Sequence, residues 1–202
     1  MKIVSVERLV DAGGFSSTPA WAEIQEQVVA AIRAVDWPPG SGSFTLRDES
    51  GKKRGQGSGV TPIKTAFVAK LREFGWSAET PGSRSRPGGP GPMDATCRVG
   101  SKLFCAEWET GNVSSSHRAL NKIAVGILEA VLIGGVLIVP TRAMYRYLTD
   151  RVGNFSELEP YFPVWRALRP AEGLLIIMAI EHDAVSPSAP RIPKGTDGRA
   201  LL

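Results

Sequence analysis

Gly100-Ser101 lies between two short runs of alternating apolar and polar residues, which commits residues 92–109 to a tight β-hairpin. A two-residue turn also sets the register. With Val99 opposite Lys102, counting outward puts Asp94 directly across from Glu107, and period-two alternation puts Glu109 on the same face. The other face carries Ala95, Cys97, Val99, Phe104, Ala106 and Trp108 and reads as core. Three carboxylates are thereby gathered. Like charges facing each other across strands destabilise a sheet. A hard divalent cation removes that cost, because Mg²⁺ takes carboxylate and water oxygens. A solvated acidic sheet face is the other reading these residues allow.

The 202 residues suffice for one sizeable core, so the expectation is a single domain over 1–202, with the Pro/Gly-rich, basic stretch 186–202 as a flexible C-terminal arm. A hydrophobic content of 43% and a charged content of 22% fit a soluble globular protein. The apolar run 131–140 is too short to cross a bilayer as a helix and reads as a buried strand, so no membrane association is expected. The N-terminal residues do not read as a signal peptide, which predicts a cytoplasmic protein. Cys97 and Cys105 fall on opposite faces of the hairpin and have no histidine at metal-ligand spacing, so neither a disulfide nor a zinc site is expected. The net charge of +4 permits a polyanionic partner. The basic residues concentrate in Lys52-Lys53-Arg54, Arg84 to Arg86, and Arg191 to Arg199, runs that are by themselves ordinary solvated loops.

Apolar spacing predicts helices over 19–35, capped by Ser17 or Thr18, and over 61–74, stopped by Gly75. Short strands are expected at 44–46 and 76–79. The Gly/Lys-rich stretch 50–59 reads as a mobile loop, and 81–92 as a loop too poor in apolar residues to pack. After the hairpin, Ser114, Ser115 and Ser116 offer N-caps. They precede a long helix with Leu120, Ile123, Ala124, Ile127, Leu128 and Val131 on one stripe. Strands at 135–139 and 174–180, a short helix at 141–148 and helical character at 163–168 follow. This order predicts an α/β fold with a central mixed sheet flanked by helices.

The segment Glu107-Trp-Glu-Thr-Gly-Asn-Val-Ser-Ser-Ser-His-Arg-Ala-Leu-Asn-Lys122 resembles the type II restriction endonucleases of the BamHI and BglII group. The likeness extends to Gly59-Val-Thr-Pro-Ile-Lys64, Gly91-Pro-Met-Asp94, Tyr147-Leu-Thr-Asp-Arg-Val-Gly-Asn-Phe155, Ile180-Glu-His-Asp183 and Ile192-Pro-Lys-Gly-Thr-Asp-Gly-Arg199, nearly the whole chain. The resemblance implies a restriction-endonuclease-like core of the PD-(D/E)XK type. It also implies Mg²⁺-dependent phosphodiester hydrolysis, with Mn²⁺ able to substitute. Asp94 and Glu107 then stand as metal ligands, Asp94 bridging. Glu109, where the wider superfamily has Lys, orients or deprotonates the attacking water. Glu79 resembles a fourth acid of some members; an exposed strand-end glutamate is its ordinary alternative.

The same resemblance assigns DNA reading to Asn112, Ser114, Ser115, Arg118, Asp150 and Arg151. Arg pairs bidentately with guanine and an acid accepts from cytosine N4, which is the major-groove chemistry of a G·C pair. Without the resemblance, the favoured reading of Asn112 to Arg118 is a helix cap and an exposed basic face. The implied target is GGATCC, cut after the first G to leave 5′-GATC overhangs. A palindrome implies a homodimer, joined in part through the apolar stripe of the long helix, whose ordinary role is core packing. Lys194 and Arg199 are candidates to reach the DNA minor groove as a flexible arm, a simply disordered tail being the more common alternative, and a cognate DNA methyltransferase is expected in the host. His117 is expected to face phosphate or solvent, and His182 to be structural. The competing readings are a catalytically silent DNA-binding dimer and a structure-selective nuclease.

Overall fold

Two uninterrupted apolar runs, at 132–139 and 174–180, decide the layering, because a strand can be apolar at every position only where both faces are covered. A computed structural model of the protein describes residues 1–82, 91–109, 111–149 and 152–194. In chain order its elements are β1 (Lys2–Ala12), α1 (Pro19–Ala34), β2 (Thr45–Arg47), α2 (Thr61–Glu73), β3 (Ser77–Pro81), β4 (Pro92–Val99) and β5 (Lys102–Trp108). Then come α3 (Val113–Leu128), β6 (Leu132–Pro140), α4 (Arg142–Tyr145), α5 (Phe155–Leu158), α6 (Phe162–Arg166), β7 (Gly173–Glu181) and β8 (Ala184–Ser186).

The main sheet has the order β1-β7-β6-β5-β4-β3. The consecutive strands β7, β6 and β5 run parallel; β1 pairs antiparallel with β7 at one edge, and β4 and then β3 add antiparallel to β5 at the other side. One face carries α1 and α2: Trp21, Val28, Phe67 and Leu71 join Phe104, Trp108, Val136 and Ile176 in one core. The other carries α3 and α6: Leu120, Ile123, Ile127 and Trp165 join Cys105, Leu137, Val139 and Ile177. The predicted mixed α/β architecture is the observed one, and β6 and β7 are the strands buried on both faces.

Local chemistry sets the ends. Thr18 Oγ1 accepts from Trp21 N at 3.2 Å with Pro19 opening α1. Gly75 (φ 86) ends the chain's turn after α2. The hairpin keeps the expected register, Val99 pairing with Lys102 and Ala95 with Ala106. Cys97 and Cys105 pack on opposite sides of the sheet. The cap of α3 differs from expectation. Asn112 supplies it, its side chain accepting from Ser115 N at 3.2 Å, and the three serines lie inside the first turn. The helix stops at Leu128, and Ala130 (φ 56) turns the chain into β6, so Val131 is not on the stripe.

Three further differences have clear causes. β1 was not anticipated; it is a half-buried edge strand that pairs along its length with β7. Residues 50–59 are no free loop. Gly51 N donates to Arg146 O (2.8 Å), Ser58 N to Tyr147 O (2.9 Å) and Gly59 N to Ile192 O (2.9 Å). A Cβ on Gly51 would stand 1.8 Å from Leu148 O, and one on Gly59 2.0 Å from Pro193 O, so these glycines permit backbone approach that no other residue allows. Residues 186–194 are likewise not a free arm: Ala189 and Ile192 are buried and Trp37 Nε1 donates to Pro190 O at 2.8 Å. The remainder of the expected arm, with Arg199, and most of the expected loop 81–92 lie outside the described residues. Among the described residues no helix is long and apolar enough to cross a membrane.

Candidate active site

Asp94 and Glu107 meet where β4 and β5 approach the end of the sheet. Met93 packs in the core on the α3 side and Ala95 in the core on the α2 side, so the alternation of β4 slips at Asp94. The slip explains why the two acids are approached from different layers. Asp94 Oδ1 meets Lys64 Nζ of α2 at 2.5 Å, and its Oδ2 accepts from Trp108 N at 2.9 Å. Glu107, only 4% exposed, accepts from Lys122 Nζ of α3 at 2.7 Å. Lys122 is itself buried and also donates to Pro92 O at 2.8 Å.

Burial pushes the Glu107 carboxyl up to about 7, the charge on Asp94 adds to the rise, and Lys122 opposes it. The folded protein thus holds the Glu107 proton to a higher pH than the unfolded chain, whose ordinary value is 4.5. Stability from this group therefore falls as pH rises from 4.5 to about 7 and is level above. Glu107→Gln cannot ionise and should lose this dependence. In thermal melts with EDTA, its stability relative to the parent should rise across that window; a constant difference would contradict the assignment.

Glu109 stands just past β5. Its Oε1 accepts from Gly111 N at 2.6 Å, and its own N–H donates to Ile138 O. Among the described residues no three Asp, Glu, His or Cys side chains converge closely enough to hold a metal ion together. The expected trio is therefore a pair with a third acid nearby. The two lysines draw Asp94 and Glu107 toward opposite layers, and Glu109 is bent back onto the following turn. Glu79 is exposed at φ 53, in the β3 position between the pairs Ala78–Ala95 and Thr80–Met93. It lines an open groove with Lys64, Arg72 and Asp94. The pair fits a hard cation: it offers carboxylate oxygens whose mutual repulsion is visible at Glu107, and Mg²⁺ binds through one or two carboxylates while keeping several waters.

Asn112, Ser114 and Arg118 are exposed at the start of α3, and Ser115 is half-buried beside them. Asp150 and Arg151 lie outside the described residues. Their flanks are held: Thr149 N donates to Ser58 O at 2.8 Å, and Gly153 N to Gly111 O at 2.8 Å, next to the α3 cap. Lys194 is half-buried, its Cα close to Gly59. His117 is half-buried; its ring meets Tyr161 edge-on (4.6 Å) and stacks on Trp165 (5.5 Å), and it lines an open groove with Ser114 and Arg118. His182 packs against Tyr147, and burial pushes its pKa down, in keeping with a structural place. Lys64 and Lys122 were missed as partners of the acids. The one sequence signal was a lysine at position 122, inside the apolar face between Ala119 and Gly126.

The whole-chain comparisons agree. Residues 1–199 match the family model described as restriction endonuclease BamHI. The chain is 49% identical over 201 residues to the type II restriction enzyme OkrAI of Oceanobacter kriegii, covering 100% of both. It is 32% identical over 187 residues to the type II restriction enzyme BamHI of Bacillus amyloliquefaciens, covering 89% of this chain and 81% of that one. Its fold is shared with the restriction endonuclease BglII solved with a DNA 16-mer, at a TM-score of 0.63 and 11% identity over 91% of this chain and 79% of that one. The chain therefore belongs to the BamHI family of type II restriction endonucleases, site-specific deoxyribonucleases whose partner is DNA.

Proposed function

We propose that this protein, as a single domain over 1–202, cleaves double-stranded DNA at GGATCC, after the first G of each strand, leaving 5′-GATC overhangs. The observation that carries the reading is the half-buried Asp94 and buried Glu107 on the hairpin that leads into α3, whose first turns expose Asn112, Ser114 and Arg118. Type II restriction enzymes generally use divalent metal ions. Here Asp94 and Glu107 would hold Mg²⁺, or Mn²⁺ in its place. When bound, the ion supplies charge neutralisation at the scissile phosphate and a more acidic water. Glu109 orients the attacking water or takes its proton, and Glu79 supplies a further negative charge from the β3 edge.

Arg151 donates to guanine O6 and N7, and Asp150 accepts from cytosine N4. Arg118 reaches base edges from the α3 face. Ser114 and Ser115 add hydroxyls there. Asn112 Oδ1 already accepts from Ser115 N, which leaves its two Nδ2 donors and one oxygen lone pair for a base. Lys194 contributes positive charge toward the backbone. A two-fold target calls for a homodimer. Support comes from Val125 and Leu128 of α3, which stay exposed with Tyr161 and Val164 while Leu120, Ile123 and Ile127 fill the subunit's own core. The setting is the cytoplasm of a host protected by a cognate methyltransferase.

A DNA-binding dimer that does not cut is the second reading. It draws on the fact that both acids already face an ammonium group. Plasmid incubated with Mg²⁺, with EDTA as control, separates the readings. Discrete fragments support the restriction enzyme, bound but intact plasmid the silent dimer, and nicks or smears a structure-selective nuclease.

A further inference from the structure

Lys122 is the buried charge that these roles leave without a task. Its side chain lies within the protein, yet an ammonium leaves water at considerable cost unless its donors are matched. Two donors are matched across elements. Nζ holds Glu107 Oε1 at 2.7 Å on β5 and Pro92 O at 2.8 Å at the start of β4, two residues before Asp94. Lys122 also lies one helical turn beyond Arg118, on the same 16-residue helix that exposes Asn112 and Ser114. A single side chain therefore ties α3 to the strands that carry both acids.

We propose that Lys122 is a positioning residue that couples the seating of α3 on DNA to the alignment of Asp94 and Glu107. It touches neither substrate nor reacting atoms; it transmits. A rigid helix that shifts when its exposed side chains engage the right bases moves Nζ, and with it the Glu107 carboxylate and the Pro92 end of β4. A helix seated on a wrong sequence leaves the acids misaligned. The inference rests on the reading of α3 as the base-reading helix and of the acid pair as catalytic.

The test compares Lys122→Met and Lys122→Arg with the parent on cognate DNA and on DNA with one base pair changed. DNA binding in EDTA, the KM for DNA, the single-turnover cleavage rate in Mg²⁺ and the thermal midpoint are measured for each. The parent must cut GGATCC; if it does not, the functional reading fails before this one is reached. For Lys122→Met we expect near-parental binding and KM, and cognate cleavage lowered about 10- to 100-fold, the usual effect of losing a group that orients ligands. Cleavage of the altered site should fall less, so that selectivity drops. Lys122→Arg, which keeps the charge and reach, should recover part of both. Full cognate cleavage and selectivity in Lys122→Met overturns the proposal. So does an equal loss on both DNAs that follows thermal stability. If Lys122→Met does not fold, Lys122→Arg decides alone: a lowered rate at unchanged KM with reduced selectivity supports coupling, and parental selectivity ends it.

Discussion

Asp94→Asn should all but abolish cleavage while leaving the protein folded and able to bind DNA. The substitution keeps the shape, so an Asn oxygen can still accept from Trp108 N, as Asp94 Oδ2 does at 2.9 Å. What disappears is the negative charge that faces Lys64 and raises the neighbouring Glu107. On the proposed roles this charge binds the cation. Its loss should lower the rate at least about 1,000-fold, or about 4 kcal/mol of barrier. The cost in stability should be small, about 1 kcal/mol or less, because the Lys64 side chain is 38% exposed and its ion pair is screened by solvent. Single-turnover cleavage, thermal melts and binding in EDTA check these points together. A residual rate within about tenfold of the parent would remove Asp94 from the chemistry.

The second large effect concerns the outer base pair. Arg151→Ala should lose about 1–3 kcal/mol of discrimination there, the worth of one bidentate guanine contact. Binding that does not depend on sequence should weaken only by one charge's share. The measurement is the ratio of cleavage at GGATCC to cleavage at a site altered only in the outer pair. An unchanged ratio, with full cognate cleavage, would withdraw Asp150 and Arg151 from the reading set. Of the described residues that flank them, Thr149 N donates to Ser58 O and Gly153 N to Gly111 O.

The parts of this molecule that were legible in sequence are those governed by neighbours in the chain. Gly100-Ser101 with alternating flanks set the hairpin register, and the runs in β6 and β7 marked strands covered on both faces. The helix α1 announced itself through Thr18, Pro19 and its apolar spacing. What escaped depends on distant partners. β1 hides its pattern because Val4 and Val6 face outward while charged residues are interleaved, and its pairing strand lies near the other end of the chain. The Gly-rich stretch 50–59 has the composition of a loop, and only the tertiary structure reveals backbone packed against Gly51 and Gly59.

The site divides in the same way. Asp94 and Glu107 follow from register, but their lysines come from two helices on opposite faces of the sheet. Period-two alternation predicted one shared acidic face. The slip between Met93 and Ala95, and the bond from Gly111 N to Glu109, leave a close pair and a separate third acid. Asn112 carries two claims, helix cap and base reader. The cap is the one visible in the folded chain.

The most direct test of the central claim is digestion of a plasmid bearing one GGATCC site in Mg²⁺, followed by sequencing of the ends. The account predicts a single cut with 5′-GATC overhangs and none in EDTA. Cutting at a different GATC-containing hexamer would retain the nuclease and contradict the roles given to Asp150 and Arg151. Tight binding without any cut would contradict the catalytic reading of Asp94, Glu107 and Glu109.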